Sequence, residues 1–435
     1  MAPKKKSRRR SGHPATEARR REQEQLRREA RSNPSRQIVL TLCRDAATLR
    51  SALEAELWAS EILGSWWPPS LEFRASRLEA DDEYGGPLVA ELARNGSEGA
   101  LAALIAFGEV CETELALVAR RHAEEMIAKG VRPPAWAEAI TTAQINRVAV
   151  MRDQIFDDGM TIFIEAEHND GGESHAIGVY IDNNLGGMAK DIVQADSIEH
   201  VEQIVAGNSD DQDAVIVESM GPVEAGARIY DAMQLTDETL DPPVGEEYPA
   251  LRALALLRNS DLPGGPPVDV STSEVSPERR EALRAEFLSA PEGKQFDAES
   301  DEAFIASLAI DFCADYVDGR PLRWSPSLVE IFMLGWLPNK VLADRATFEA
   351  VPEALAAWVR FAGRRREIAE WAIDKTIAAI EEFKAELLLL QDGEGELSPS
   401  MEFLTAAKSA GIDLEDEQAM ESFIAGWNAR SGIDA

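Results

Sequence analysis

His168 and His175 are the pair of histidines in this chain that local geometry can bring together. Residues 160–182 read as two strands joined by a loop of turn formers at 169–174. Pairing His168 with His175 sets Ala166 opposite Ile177, Ile164 opposite Val179 and Ile162 opposite Ile181. The aliphatics then share one face, while Phe163, Glu165, Glu167 and Tyr180 share the other. A slip of one residue scatters that pattern, so this register is the expected one. Opposed side chains in an antiparallel pair have Cβ atoms about 5 Å apart. Two imidazoles so placed could ligate zinc, with Asp170 or Glu173 as a third ligand and Asp182, set with Thr161 on the other face, a poorer one. Zinc held that way, with a water in the open position, is the equipment of a metal-dependent hydrolase. Two imidazoles are fewer ligands than a zinc site needs, and no second closely spaced pair exists. A polar hairpin tip accounts for the same residues.

The second candidate leaves that hairpin as Asp182-Asn-Asn-Leu-Gly-Gly-Met-Ala-Lys-Asp191. Asn184, Gly186 and Gly187 tolerate left-handed backbone. Successive amides there, with Lys190 beside them, could cradle a small anionic ligand. The spacing is not that of a phosphate loop, which runs GxxxxGK[ST] into a helix. A tight connection of turn formers explains it as well. Arg364, Arg365 and Arg366 follow Gly363 at the end of an apolar helix, where cations complement the helix dipole. With Arg360 they form the alternative anion patch. The acidic stretch 208–213 lacks the glycine and terminal glutamate of a calcium loop. GxSxG, HExxH, CxxC and Walker patterns are absent, so no catalytic residue is assigned.

The elements that must position these residues follow from period and punctuation. Leu42, Leu49, Leu53 and Leu57 recur at helical spacing before Trp66-Trp67-Pro68-Pro69 ends the run. Further helices are expected over 88–94 and 98–129, the latter closed by Gly130. Residues 37–150 thus read as an all-helical domain. Residues 151–262 read as a small α+β domain: the hairpin, a helix at 197–205, a third strand at 214–217, a helix opened by Pro222 and another over 246–259. Pro263-Gly-Gly-Pro-Pro267 opens a linker, 263–275. Residues 276–435 are helical again, starting at Ser276-Pro277-Glu278 and restarting at Ser325-Pro326. The second of these helices is apolar nearly all round and is expected at the centre of its core. The fold class is α+β and predominantly helical, with one short antiparallel sheet.

Charge divides the chain differently. Residues 1–36 hold 13 Lys and Arg against four Glu, about +9, in a protein whose net charge is −34. A block of like charge with almost no apolar residues stays solvated and disordered, free to reach a nucleic acid or an acidic protein. The acidic remainder disfavours nonspecific nucleic-acid binding by itself. Cys43, Cys111 and Cys313 lie in apolar helical patterns and read as small buried hydrophobes in a reducing compartment. The basic start has no apolar stretch behind it, and the most apolar run, 328–337, is about half a membrane span. A cytoplasmic protein with no membrane partner is expected.

Four strings carry a resemblance: RPPAW (132–136), HAIGVYIDNNLGGMAKD (175–191), WSPSLVEIFMLGWLPNKV (324–341) and VPEALAAWVRFAGRRR (351–366). With them the chain resembles an uncharacterised family of large cytoplasmic bacterial proteins. The likeness runs over most of the body and least in the basic segment. It implies a bacterial, cytoplasmic protein and supplies no activity or catalytic residue. Taken together, these readings point to a non-enzymatic binding or regulatory protein that contacts a polyanion or acidic partner through residues 1–36. The competing class is a metal-dependent hydrolase at the hairpin end, and zinc is the only cofactor in view.

Overall fold

The structure, a computed structural model, describes residues 34–67, 80–169, 174–208, 215–263 and 275–391, with Phe423. Nearly all of the basic segment, most of the 263–275 linker, Asp170 and Glu173, and residues 392–435 apart from Phe423 lie outside the described residues.

The first unit is helical: α1 (Pro34–Ala46), α2 (Ala52–Gly64), α3 (Gly86–Asn95), α4 (Glu98–Val110) and α5 (Glu114–Ala128). A wide π turn, Asp81–Gly85, leads directly into α3. The single helix expected over 98–129 is two. The chain turns at Cys111, and Thr113 caps α5 by accepting from the Leu115 amide. The Thr113 hydroxyl donates in turn to Asp81 at 2.7 Å. These helices bury a core of small and branched residues, among them Ala55, Ala59, Leu92, Leu101, Leu104 and Phe107.

The unit is not all helical to residue 150. Strand β1 (Gln144–Asp153) runs across that boundary and joins β2 (Gly159–Glu167), β3 (His175–Asp182), β4 (Met188–Ala195) and β5 (Val215–Ser219). The sheet is antiparallel throughout, in the order β4-β3-β2-β1-β5. In the hairpin, His175 pairs with Ala166, Ile177 with Ile164 and Val179 with Ile162. The register is thus displaced by two residues from the one expected, and His168 is not opposite His175. A shift of two preserves the alternation of faces, so the aliphatics still lie together. Ile162, Ile164, Ile177, Val179 and Ile181 pack under α7 (Pro222–Glu238) and α8 (Tyr248–Ser260). The opposite face carries a smaller cluster, Ala149, Phe163 and Ala176, under Ile198 and Val201 of α6 (Ile198–Asn208).

α8 belongs to two cores. Leu254 and Ala255 pack into the sheet core, while Ala253 packs among the N-terminal helices. At Gly64 of α2 even a Cβ would strike the Pro249 carbonyl, so the two helices meet backbone to backbone.

The C-terminal unit comprises α9 (Pro277–Ser289), α10 (Asp301–Asp315), α11 (Pro326–Glu330), α12 (Leu337–Lys340), α13 (Arg345–Arg365) and α14 (Glu370–Gln391). Between α11 and α12 the chain widens into a π stretch, Ile331–Trp336. Leu328, Val329, Phe332 and Met333 are fully buried there, as the all-round apolar pattern implies. Phe312, Trp324, Phe332 and Trp336 form a continuous aromatic group around them. Among the described residues no helix is long and apolar enough to cross a membrane.

Candidate functional site

The chemistry-bearing side chains gather at two seams, one on either side of the sheet unit. At the first seam, Glu56 of α2 and Arg258 of α8 have no solvent exposure, and His175 and His168 are 1% and 7% exposed. Glu56 lies on the buried face of α2 with Ala52, Ala55 and Ala59, and Arg258 on the buried face of α8 with Leu254 and Ala255, so helix periodicity turns both inward. Arg258 forms an ion pair with Glu56 through Nη2, and its Nε donates to His175 Nε2 at 3.1 Å. His168 Nε2 donates to Glu56 Oε1 at 3.0 Å. The two imidazoles stack nearly parallel, 5.7 Å between centroids and 11° between planes.

Electrostatics fix the protonation states. Burial pushes the Glu56 carboxyl up, but the His168 hydrogen bond and the Arg258 charge outweigh burial and hold it below the ordinary carboxylate range. Burial, reinforced by the adjacent Arg258 charge, brings His175 down to about 4. His175 is therefore a neutral ring whose Nε2 accepts, leaving Nδ1 to carry the proton with no hydrogen-bond partner. Arg258 Nη1 lies 3.5 Å from Asp261, near enough for charge attraction but outside hydrogen-bond geometry.

For the expected zinc site this arrangement is specific. The Nε2 atoms of His168 and His175 point to Glu56 and Arg258, and the rings lie side by side instead of converging. Among the described residues no three His, Cys, Asp or Glu side chains gather as a metal ion requires. Asp170 and Glu173 lie outside those residues.

The second seam receives the turn after β3. Asp182 Oδ1 accepts from the Asn184 amide at 2.9 Å, and Lys190 Nζ donates to Asp182 Oδ2 at 3.1 Å. Gly186 and Gly187 take φ of +71° and +85°, the left-handed backbone their lack of a Cβ permits. The four residues expected to cradle a ligand are brought together, and two of their side chains are engaged from within the protein. The Asn184 carbonyl oxygen accepts from Arg323 Nη1 at 2.8 Å. Arg323 is 1% exposed and also donates to Asp158 at 3.0 Å and Asp318 at 2.7 Å. Arg320 pairs with Asp318 and Asp157. Burial is the largest influence on Asp158 and raises it, with Arg323 and Ser325 opposing.

Sequence reading missed Glu56, Arg258, Arg320 and Arg323. A charge at a position in phase with the apolar face of its helix was the available signal for the first two. For the second pair it was a cluster of arginines after a glycine turn, Asp318-Gly319-Arg320-Pro321-Leu322-Arg323. Of the three arginines at the end of α13, Arg364 pairs with Glu292 and Arg365 with Glu286; Arg360 is exposed on the same helix. No family model, curated protein or solved structure matches the chain.

Proposed function

We propose that the protein is a non-enzymatic binding or regulatory protein in which residues 1–36 contact a polyanion, most simply a nucleic acid. The observation that carries this reading is the inversion of charge, about +9 in those residues against −34 for the whole chain. The engagement of both imidazoles with Glu56 and Arg258 supports a holding role for them over a catalytic one. A cytoplasmic, reducing setting is part of the proposal, supported by three buried free cysteines.

Fluorescence anisotropy on a 30-base-pair DNA duplex compares the full chain with one starting at residue 37. At about 50 mM salt the full chain is expected to bind in the micromolar range, and the shortened chain not at all. Log affinity should fall linearly with log salt, by roughly 0.9 for each phosphate neutralised. Equal binding by both chains overturns the reading. Binding of the full chain to polyglutamate but not to DNA transfers it to an acidic protein partner.

A further inference from the structure

Val275 borders two neighbouring cavities in the C-terminal unit. The smaller, about 440 Å³, sets Arg280 and Arg284 beside Glu281 and Asp311, so its charges balance. The larger, about 500 Å³, is lined by Arg279, Arg320, Arg323 and Arg366 with no carboxylate on its wall. Four arginines on one open cavity are unexpected in a chain of net charge −34.

Two of the four are already neutralised from behind. Asp157, Asp158 and Asp318 hold Arg320 and Arg323. The other two are not. No hydrogen bond or ion pair from a described residue reaches the Arg366 guanidinium, although the residue is half-buried. Burial, with the Arg320 charge next in size, pushes Arg366 below the ordinary arginine range, and the attraction of Asp157 and Asp318 offsets this only in part. Arg279, exposed at the mouth, is likewise unpaired among the described residues. At the start of α9 the Glu278 carboxylate is held below its ordinary range by its own backbone amide and by Ser276. Leu283 and Leu322 supply an apolar wall.

We infer that this cavity binds a small organic phosphate monoester. Its phosphate seats between Arg366 and Arg279, and its apolar body lies against Leu283 and Leu322. Two guanidinium groups without an ion pair among the described residues match the charge of a monoester near neutrality, about −1.5 to −2, better than the single charge of a carboxylate. Their planar donors fit phosphate oxygens two at a time. The volume is in the range of small-ligand pockets, about 300–1,000 Å³. This inference does not depend on residues 1–36.

Isothermal titration of the full chain with phenyl phosphate, and with benzoate as the carboxylate carrying the same ring, tests it. Phenyl phosphate is expected to bind at one per chain, at least tenfold tighter than benzoate. Arg366→Ala and Arg279→Ala should each weaken it tenfold or more. Arg365→Ala, whose side chain pairs with Glu286 away from the cavity, should leave it unchanged. Arg366→Ala removes a half-buried cation that forms no ion pair among the described residues, so its melting temperature should stay close to that of the parent, which separates lost binding from lost folding. The exposed Arg279→Ala variant provides the same readout with no threat to the core. The inference is overturned if phenyl phosphate shows no saturable binding, if benzoate binds equally well, or if both cavity variants keep the parent affinity.

Discussion

Glu56 and Arg258 have no contact with solvent, so each depends on the other for the charge balance that water gives an exposed residue. Breaking such a pair from one side strands a charge and costs about 3–5 kcal/mol. Glu56→Gln should lower unfolding stability by that amount in urea titrations, whereas loss of an exposed pair such as Arg345–Glu349 should cost under about 1 kcal/mol. His175 adds a pH dependence. Its folded value, about 4, lies below the ordinary 6.5, so only the unfolded chain takes up a proton between those limits. Stability is therefore full above pH 6.5 and declines as pH falls toward 4, by up to roughly 3 kcal/mol at about 1.4 kcal/mol per pH unit. Glu56, held below its ordinary value, works in the same direction at lower pH, because its contribution is lost as the carboxylate protonates. His175→Gln should flatten the segment between pH 6.5 and 4 in a series of urea melts. An unchanged slope would remove His175 as its source.

At the scale of elements, hydrophobic period located the hairpin and its buried face, because alternation of Ile162, Ile164, Ile177 and Val179 survives any even shift. It did not determine which even register forms, since contacts from elsewhere enter that choice, among them Arg258 reaching His175 from a helix 83 residues away. β1 was read as the end of a helical domain. Its apolar residues, Ile145 and the run Val148–Met151, do not alternate with polar ones and are flanked by Arg147, Arg152 and Asp153, so they do not announce a strand until β2 and β5 flank them. The break between α4 and α5 was equally quiet, because Thr113 acts through one hydroxyl. That hydroxyl caps α5 and donates to Asp81 at once. Thr113→Ala should therefore cost about 1–2 kcal/mol, measurable by denaturant titration, and a cost near zero would mean the cap is replaced locally.

Across the whole molecule, ion pairs hold the sheet unit between two helical ones: buried Glu56 with Arg258 on one side, buried Arg323 with Asp318 and half-buried Asp158 on the other. None of these pairs was legible in the sequence, since abundant Asp and Glu offer every arginine many partners and only the packed chain selects one. Net charge acts at the same scale. A body this acidic repels itself, and added salt screens that repulsion. Raising sodium chloride from 20 to 300 mM should raise the melting temperature in calorimetry, and a fall would mean that surface ion pairs outweigh the repulsion. The seam at Glu56 has a further consequence during synthesis. Its partner is 202 residues later in the chain, roughly 10–40 s of translation at 5–20 residues per second. Through that interval the first helices lack Arg258 and the apolar side of α8, so the emerging half-protein must be tolerated with its innermost carboxylate still open to water.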